Sequence, residues 1–154
     1  MREIPLSRDM VALVDDEDYA DLSQFKWHAN KDGNRFYVQR TMRRGGKWWA
    51  EPMHRRILNA KRGEKVDHVN HNGLDCQREN IRICTDSQNQ GNRKKNINGS
   101  SRFKGVNWHK RYKVWQARIQ GRYLGCFTDE ELAARAYDAA AKKLFGEFAL
   151  VNFQ

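Results

Sequence analysis

Several common features are scarce or missing in this chain of 154 residues. It has only three cysteines and no CxxC pair, so a disulfide framework is not indicated and a reducing cytoplasm is favoured. No apolar run approaches the roughly 18 residues that a membrane helix needs, and the first residues lack the apolar core of a secretory signal. The sequence therefore predicts a protein that does not contact a membrane.

Acidic residues are absent from one long stretch. Between Ser87 and Thr128 there are ten basic residues and no acidic one, so this window alone accounts for the net charge of +10. Such a block repels itself unless a polyanion neutralises it. Its basic residues alternate with aromatic ones on strand-like runs and do not form an amphipathic helix. Nucleic acid is therefore favoured over an anionic membrane as the partner.

The first module is predicted to cover residues 1–91. Short β-prone runs joined by Asp-Gly and Gly-Gly turn signals fill residues 1–50. A short helix is predicted from Met53, and the pair Thr85 and Gln88 has the spacing of a helix capping box. This pattern predicts a small sheet, followed by a helix and a polar segment.

The second module is predicted to cover residues 102–154, after a linker. Residues 92–101 are basic, rich in Asn, Gly and Ser, and have no apolar period, which is typical of a linker. Three strand-like runs follow, and then an alanine-rich helix that opens with a capping box at Thr128 and Glu131 and stops at Gly146. Its small-residue face predicts packing against a sheet, so the fold class is α+β.

Four polar side chains of the first module, Asp67, His68, Asn80 and Asn89, suit phosphodiester hydrolysis. His68 has an ordinary pKa near 6.5 and can serve as a general base, while Asn80 can accept its other ring N–H. Asp67 points to the opposite face of an extended segment, where it can hold a metal ion with Asn89 as a second oxygen ligand. Carboxylate and amide oxygens favour Mg²⁺, which stabilises charge on the departing oxygen.

Zinc is a competing interpretation of the same region. His68, His71, Cys76 and Cys84 offer four ligand types. Their spacing lacks the closely spaced cysteine pairs of structural zinc sites, so zinc is disfavoured.

Three segments carry a resemblance to a known family: 67–70 (DHVN), 78–82 (RENIR) and 88–90 (QNQ). They resemble the ββα-metal site of HNH endonucleases of the phage and intron-encoded kind. The resemblance implies a ββα-metal core over about residues 64–92 with Mg²⁺ or Mn²⁺. It also implies that Asp67 is a metal ligand, His68 the general base and Asn80 the residue that orients it. Asn89 replaces the family's final His, as in its H-N-N variants, and would be the second ligand.

The second module carries another resemblance, through residues 103–106, 115–119, 123–127, 133–140 and 152–153. They resemble the AP2/ERF DNA-binding domain, which implies a three-stranded antiparallel sheet packed on one helix and laid into the major groove of double-stranded DNA. The DNA-binding positions that it implies, together with the basic residues of the linker, are Arg93, Lys94, Lys95, Arg102, Lys104, Asn107, His109, Arg111, Tyr112, Arg118, Arg122 and Tyr123.

Fused modules of these two kinds look like a homing endonuclease. The sequence therefore predicts a metal-dependent enzyme that hydrolyses phosphodiester bonds of double-stranded DNA, in the cytoplasm of a bacterial or phage-infected cell, with no obligate protein partner. The alternative is a non-catalytic, sequence-specific DNA-binding regulator that retains an HNH-like scaffold. The presence of Asp67, His68 and Asn80 together favours the enzyme.

Overall fold

The structure is a computed structural model that describes residues 1–153. The chain forms two compact units, Met1–Thr85 and Asp86–Gln154. Residues 86–91, which the sequence assigned to the first module, belong to the second unit, and the linker over 92–101 stays a prediction. Within residues 1–153 no helix is both long and apolar enough to cross a membrane.

The first unit contains three antiparallel sheets and two short helices. The strands are β1 (Arg2–Pro5), β2 (Val11–Val14), β3 (His28–Asp32), β4 (Arg35–Arg44), β5 (Lys47–Pro52), β6 (Lys65–His68) and β7 (Ile81–Cys84). The helices are α1 (Asp16–Leu22) and α2 (Met53–Ile57). β1 pairs with β2, β3–β4–β5 form a meander, and β6 pairs with β7.

Helix α1 corrects the sequence-based expectation that short strands fill residues 1–50. The acidic residues Asp16 and Glu17 lie in the first turn of α1, where negative charge is favourable to a helix. Seven residues are too few to show a clear helical period, which explains why the pattern alone did not predict α1.

Trp27 lies at the centre of the first unit's core. It is fully buried, and so are Leu22, Val38 and Met53, which come from α1, β4 and α2. The indole N–H of Trp27 donates to the backbone oxygen of Leu22 at 2.8 Å, so the buried polar atom has a partner. These contacts fix the meander and both helices to one another.

The second unit is a three-stranded sheet with a long helix. Its elements are α3 (Asp86–Asn92), β8 (Val106–His109), β9 (Val114–Ile119), β10 (Arg122–Phe127) and α4 (Glu130–Phe145). The strand order is β10–β9–β8 and both pairings are antiparallel. The prediction of antiparallel strands packed on one helix is confirmed here; an HNH fold is not shown.

Helix α4 packs on the sheet through small side chains. Ala133 and Ala134 are completely buried against Val106 and Ala117, because alanine lets helix and sheet approach closely. The predicted cap is one residue off: the carboxylate of Asp129 accepts the N–H of Leu132 at 2.9 Å, so Asp129 and not Thr128 is the N-cap.

Gly105 lies just before β8 and packs against helix α4. Its φ is +76°, and a Cβ at this position would lie 1.9 Å from the ring of Tyr137. Only glycine allows both this backbone conformation and this close approach.

Candidate nucleic-acid interface

The sheet of the second unit presents an open polar face. Ala117 is buried under α4, so its neighbours Gln116 and Arg118 point to the opposite face by the two-residue period of a strand. The strand register places Asn107 opposite Gln116 and Tyr123 opposite Arg118. Arg118, Asn107 and Tyr123 are exposed. Guanidinium, amide and phenol groups therefore lie side by side on one surface.

The loop between β8 and β9 adds an ordered aromatic and cationic tip. The rings of His109 and Tyr112 stack at a centroid distance of 4.7 Å, and the backbone N–H of Tyr112 donates to Nδ1 of His109 at 3.3 Å. The guanidinium of Arg111 lies 5.6 Å from the Tyr112 ring. Lys113 closes the loop with a φ of +51°. The tip is held in shape while Arg111 and Tyr112 stay exposed.

Two of the implied DNA-binding cations form hydrogen bonds or ion pairs with other groups of the protein. The ammonium of Lys104 donates to the backbone oxygens of Gly91 and Leu150. Burial lowers the pKa of Lys104 to about 8, against an opposing contribution from Asp138. Arg102 forms an ion pair with Glu131 at 2.9 Å. A DNA contact by either residue stays a prediction.

The remaining implied positions are open to solvent to different degrees. Arg122 is exposed at the start of β10, and Arg93 and Lys94 are exposed beyond α3, while Lys95 is half-buried. Because the window from Ser87 to Thr128 contains no acidic residue, the positive potential of these side chains is not cancelled along the chain.

The polar loop, defined as residues 69–80 of the first unit, uses its side chains to shape its own backbone. Asn70 Oδ1 accepts the N–H of Asn72 at 2.8 Å, Asn72 Oδ1 accepts that of Leu74 at 3.1 Å, and Asp75 Oδ1 accepts that of Gln77 at 3.2 Å. These are Asx turns, in which short polar side chains replace a backbone partner. The unusual composition of this stretch therefore has a structural explanation.

Asn80 closes the polar loop. Its Oδ1 accepts the backbone N–H of Asn70 at 2.9 Å, and its Nδ2 donates to the backbone oxygen of Asp75 at 2.7 Å. Both ends of this buried amide are thus used across the loop. The role of Asn80 in orienting His68 stays a prediction.

His68 lies in an aromatic cluster beneath the polar loop. It is only 6% exposed, and its ring centroid lies 5.0 Å from that of His54 and 5.8 Å from that of Tyr37. Burial lowers the pKa of His68 to about 4 and that of His54 to about 3. Nδ1 of His54 is buried without a hydrogen-bond partner among residues 1–153. The role of His68 as a general base stays a prediction.

Asp67 lies on β6, and its carboxylate accepts hydrogen bonds from Arg82 on β7. Oδ2 of Asp67 is 3.2 Å from Nη2 of Arg82. No group of three His, Cys, Asp or Glu side chains within residues 1–153 is placed to hold a metal. Asn89 lies on α3 in the second unit, and magnesium or manganese binding stays a prediction.

The cysteine and histidine positions weighed as zinc ligands are not equivalent. Cys76 is completely buried, and burial raises the pKa of its thiol to about 12. Metal-binding thiolates need a lowered pKa. His71 lies in the polar loop with a φ of +65°.

Sequence reasoning missed two features of the first unit. It did not place His54 and Tyr37 beside His68, because they come from distant parts of the chain. It read the turn between β4 and β5 correctly but did not foresee that Trp48 and Trp49 on β5 are exposed. Aromatic pairs normally signal a core position, so no sequence pattern indicates this exposure.

Comparison with curated proteins finds relatives for the AP2-like region. An AP2-like ethylene-responsive transcription factor of Arabidopsis thaliana, PLT2, is 48% identical over 63 residues, which is 36% of this chain and 11% of that protein. The AP2-like ethylene-responsive transcription factor CRL5 of Oryza sativa subsp. japonica is 47% identical over 62 residues, 36% of this chain and 10% of that protein. No family model matches the chain. No solved structure matches it either.

A third relative, the APETALA2-like protein 2 of Oryza sativa subsp. japonica, is 44% identical over 61 residues, 36% of this chain and 14% of that protein. The chain thus spans about a tenth of the length of the curated relatives it matches. These proteins come from plants, whereas the sequence predicted a bacterial or phage-infected cell, and the cellular location stays a prediction.

The comparisons contradict the predicted endonuclease. Relatives such as PLT2 and CRL5 are described as transcription factors and not as hydrolases, and nothing supports an HNH part. The prediction of a phage-type HNH homing endonuclease is therefore wrong. The region that is matched is similar to the AP2 DNA-binding region of plant AP2-like transcription factors.

Proposed function

We propose that this chain is a non-catalytic regulator that binds specific sequences of double-stranded DNA through the exposed face of β8–β10. The observation that carries the proposal is that face itself, where Arg118, Gln116 and Asn107 project from the three-stranded sheet in a window without acidic residues. The similarity to transcription factors over the same region supports it.

The side chains on this face are of the kinds that read base edges. Arginine forms two hydrogen bonds with guanine, and the amides of Asn and Gln do so with adenine. On the sheet, Arg118 and Asn107 flank Gln116, so three such groups share one surface. Helix α4 supports the sheet from behind through its alanine face and does not itself read DNA.

The cations around the sheet would set affinity more than specificity. Arg111, Lys113 and Arg122 are exposed at the two hairpin turns, where phosphates border a groove. Each phosphate contact releases counterions, so binding is expected to weaken steeply as salt is raised.

The central experiment selects duplexes from a random pool and measures their dissociation constant by fluorescence anisotropy. Arg118→Ala should weaken binding to the selected duplex by about 1–3 kcal/mol and relax the base preference at one position. Lys142→Ala is the matched control, since it removes one exposed charge from α4 on the other side of the sheet. Equal effects of both substitutions would contradict sequence reading by the sheet.

The same protein is then incubated with supercoiled plasmid, with and without Mg²⁺. Binding without nicking is expected, and chelation of divalent metal should leave the dissociation constant unchanged. Magnesium-dependent nicking that disappears in His68→Ala would overturn the non-catalytic assignment.

A further inference from the structure

The ribbon, defined as residues 40–51, is a two-stranded extension of the first unit's meander. β3 pairs with β4 only from Arg35 to Gln39, whereas β4 continues to pair with β5 as far as Arg44 opposite Lys47. Its five pairs make it about 17 Å long. Gly45 and Gly46, both at positive φ, form the turn at its tip. The ribbon therefore has no third strand beside it over its own length.

Both faces of the ribbon carry cations and an exposed tryptophan. By the register, Arg43 and Trp48 are paired on one face, and Met42 and Trp49 are paired on the other, which also carries Arg44 and Lys47. Trp48 is 70% exposed and Trp49 is 57% exposed. The guanidinium of Arg43 lies 5.8 Å from the Trp48 ring. The face with Met42 and Trp49 borders a cavity that it shares with Arg55 and Arg56 of α2.

The charge of the ribbon is positive and is not neutralised nearby. From Gly33 to Ala50 the chain has five basic residues and no acidic one. The single carboxylate of the ribbon, Glu51, forms ion pairs with Arg40 and Arg56 at its base. Arg43, Arg44 and Lys47 are left exposed around the tip.

This arrangement fits the major groove of double-stranded DNA. The groove is wide enough to admit a two-stranded β-ribbon, and its walls face an inserted ribbon on both sides. Cations and aromatic rings on both faces of the ribbon can then contact the DNA, whereas a flat protein or membrane surface would contact only one face. Arg43, Arg44 and Lys47 would meet phosphates, and Trp48 and Trp49 would pack on sugars and base edges.

We propose that the ribbon is a second site for double-stranded DNA, on the first unit and distinct from the face of β8–β10. The inference goes beyond the proposed function, because it makes the first unit a direct DNA-binding element. It predicts a footprint longer than the one that the AP2-like sheet alone produces.

The test uses the full chain and a triple variant, Arg43→Gln, Arg44→Gln and Lys47→Gln. Loss of three phosphate contacts should weaken binding roughly 100-fold at physiological salt and lower the slope of log K against log salt by about 2.7. The control removes the same charge elsewhere on the first unit, through Lys26→Gln, Lys61→Gln and Arg62→Gln, all at exposed positions. A slope unchanged from the wild type, or equal in both triple variants, overturns the inference.

The groove and the tryptophans are tested by protection of guanine N7 from dimethyl sulfate. The ribbon should protect guanines outside the segment whose protection depends on Arg118, and Trp48→Ala with Trp49→Ala should remove that outer protection. The inference is also overturned if the variants keep their affinity for duplex DNA but lose binding to single-stranded DNA, to anionic vesicles or to a second copy of the chain.

The two proposals fail separately. If Arg118→Ala weakens duplex binding while the triple variant does not, the ribbon is excluded and the proposed function stands. If the triple variant weakens binding while Arg118→Ala does not, the sheet is excluded and the ribbon stands.

Discussion

The polar loop of the first unit and the open sheet face of the second are both rich in polar side chains, yet they use them in opposite ways. In the loop, Asn70 and Asn80 bond to backbone groups of the loop itself. On the sheet, Asn107 and Arg118 are exposed and project from a surface shaped by other residues. A cluster of polar residues is therefore evidence of a binding site only when its donors and acceptors remain accessible.

The two regions also differ in how far their charges are compensated. Residues 1–86 hold 16 basic and 14 acidic side chains, whereas the window from Ser87 to Thr128 holds ten basic and no acidic ones. In the first unit, Arg78 pairs with Asp18 and Arg82 with Asp67, so much of the charge is internally compensated. The ribbon is the exception, because the cations around its tip are not compensated, and this favours a second DNA-binding site there.

The largest expected effect tests whether the sheet face depends on its support by α4. Gly105→Ala places a methyl group against the Tyr137 ring and forces a non-glycine residue to positive φ. Overpacking and backbone strain together should cost about 4 kcal/mol of the free energy of unfolding. Urea denaturation monitored by circular dichroism measures it, and DNA affinity should be lost with the fold.

Gly121→Ala is the matched control for this substitution. Gly121 also has a positive φ, +80°, but a Cβ there meets no atom within 4 Å. It should cost about 1 kcal/mol, from backbone strain alone. Similar costs at both glycines would show that the contact with Tyr137 does not matter.

The next effect separates the loop from the sheet. Asn80→Ala removes the acceptor for the N–H of Asn70 and the donor to the Asp75 oxygen, and leaves two partly buried backbone groups without these partners. It should lower the free energy of unfolding by about 2–3 kcal/mol, with little change in DNA affinity under native conditions. Thermal unfolding and fluorescence anisotropy on one preparation measure both quantities.

Asn107→Ala is expected to behave in the opposite way. Asn107 is exposed on the sheet, so its removal should weaken DNA binding and leave stability nearly unchanged. If Asn80→Ala weakened DNA binding more than it destabilised the fold, the contrast between loop and sheet would break down.

The smallest effect per residue concerns pH and the buried histidines of the first unit. Their folded-state pKa values, about 3 for His54 and about 4 for His68, lie below the ordinary 6.5, mainly because of burial. The unfolded chain then binds more protons, so the stability is present above pH 6.5 and falls as the pH drops toward 4. Each histidine should cost on the order of 2 kcal/mol between pH 7 and pH 5.

His54→Phe checks this assignment. Nδ1 of His54 has no hydrogen-bond partner among residues 1–153, so phenylalanine loses no bond there and removes one titrating ring. Urea midpoints between pH 7 and pH 5 should show about half of the wild-type pH dependence. An unchanged dependence would assign the acid sensitivity to other groups.

The second unit was predictable from sequence in more detail than the first. The apolar alternation of β9 and the alanine period of α4 each show which face is buried, and the two patterns fit together. In the first unit, α1 spans only seven residues and β1 only four, which is too short for a period to be seen. The capping error at Thr128 has a similar cause, since Asp129 beside it is an equally good N-cap residue.

The candidate catalytic site shows the limit of motif reasoning. His68 and Asp67 have the residue types that hydrolysis needs, but the motif does not show that the rings of His54 and Tyr37 lie beside His68 and that the guanidinium of Arg82 lies beside Asp67. None of these neighbours is adjacent in sequence. The pKa of a side chain depends on burial and nearby charge, which residue identity alone does not contain.

By itself the sequence determined where positive charge is concentrated, that the chain is of mixed helix and strand, and that residues 102–153 resemble an AP2-type sheet with its helix. Those properties depend on local composition and on short periods. The tertiary structure alone decided that the polar loop is closed on itself, that His68 is buried, and that Trp48 and Trp49 are exposed on a free ribbon. Accessibility is the common physical reason, because it depends on which distant segments cover a side chain.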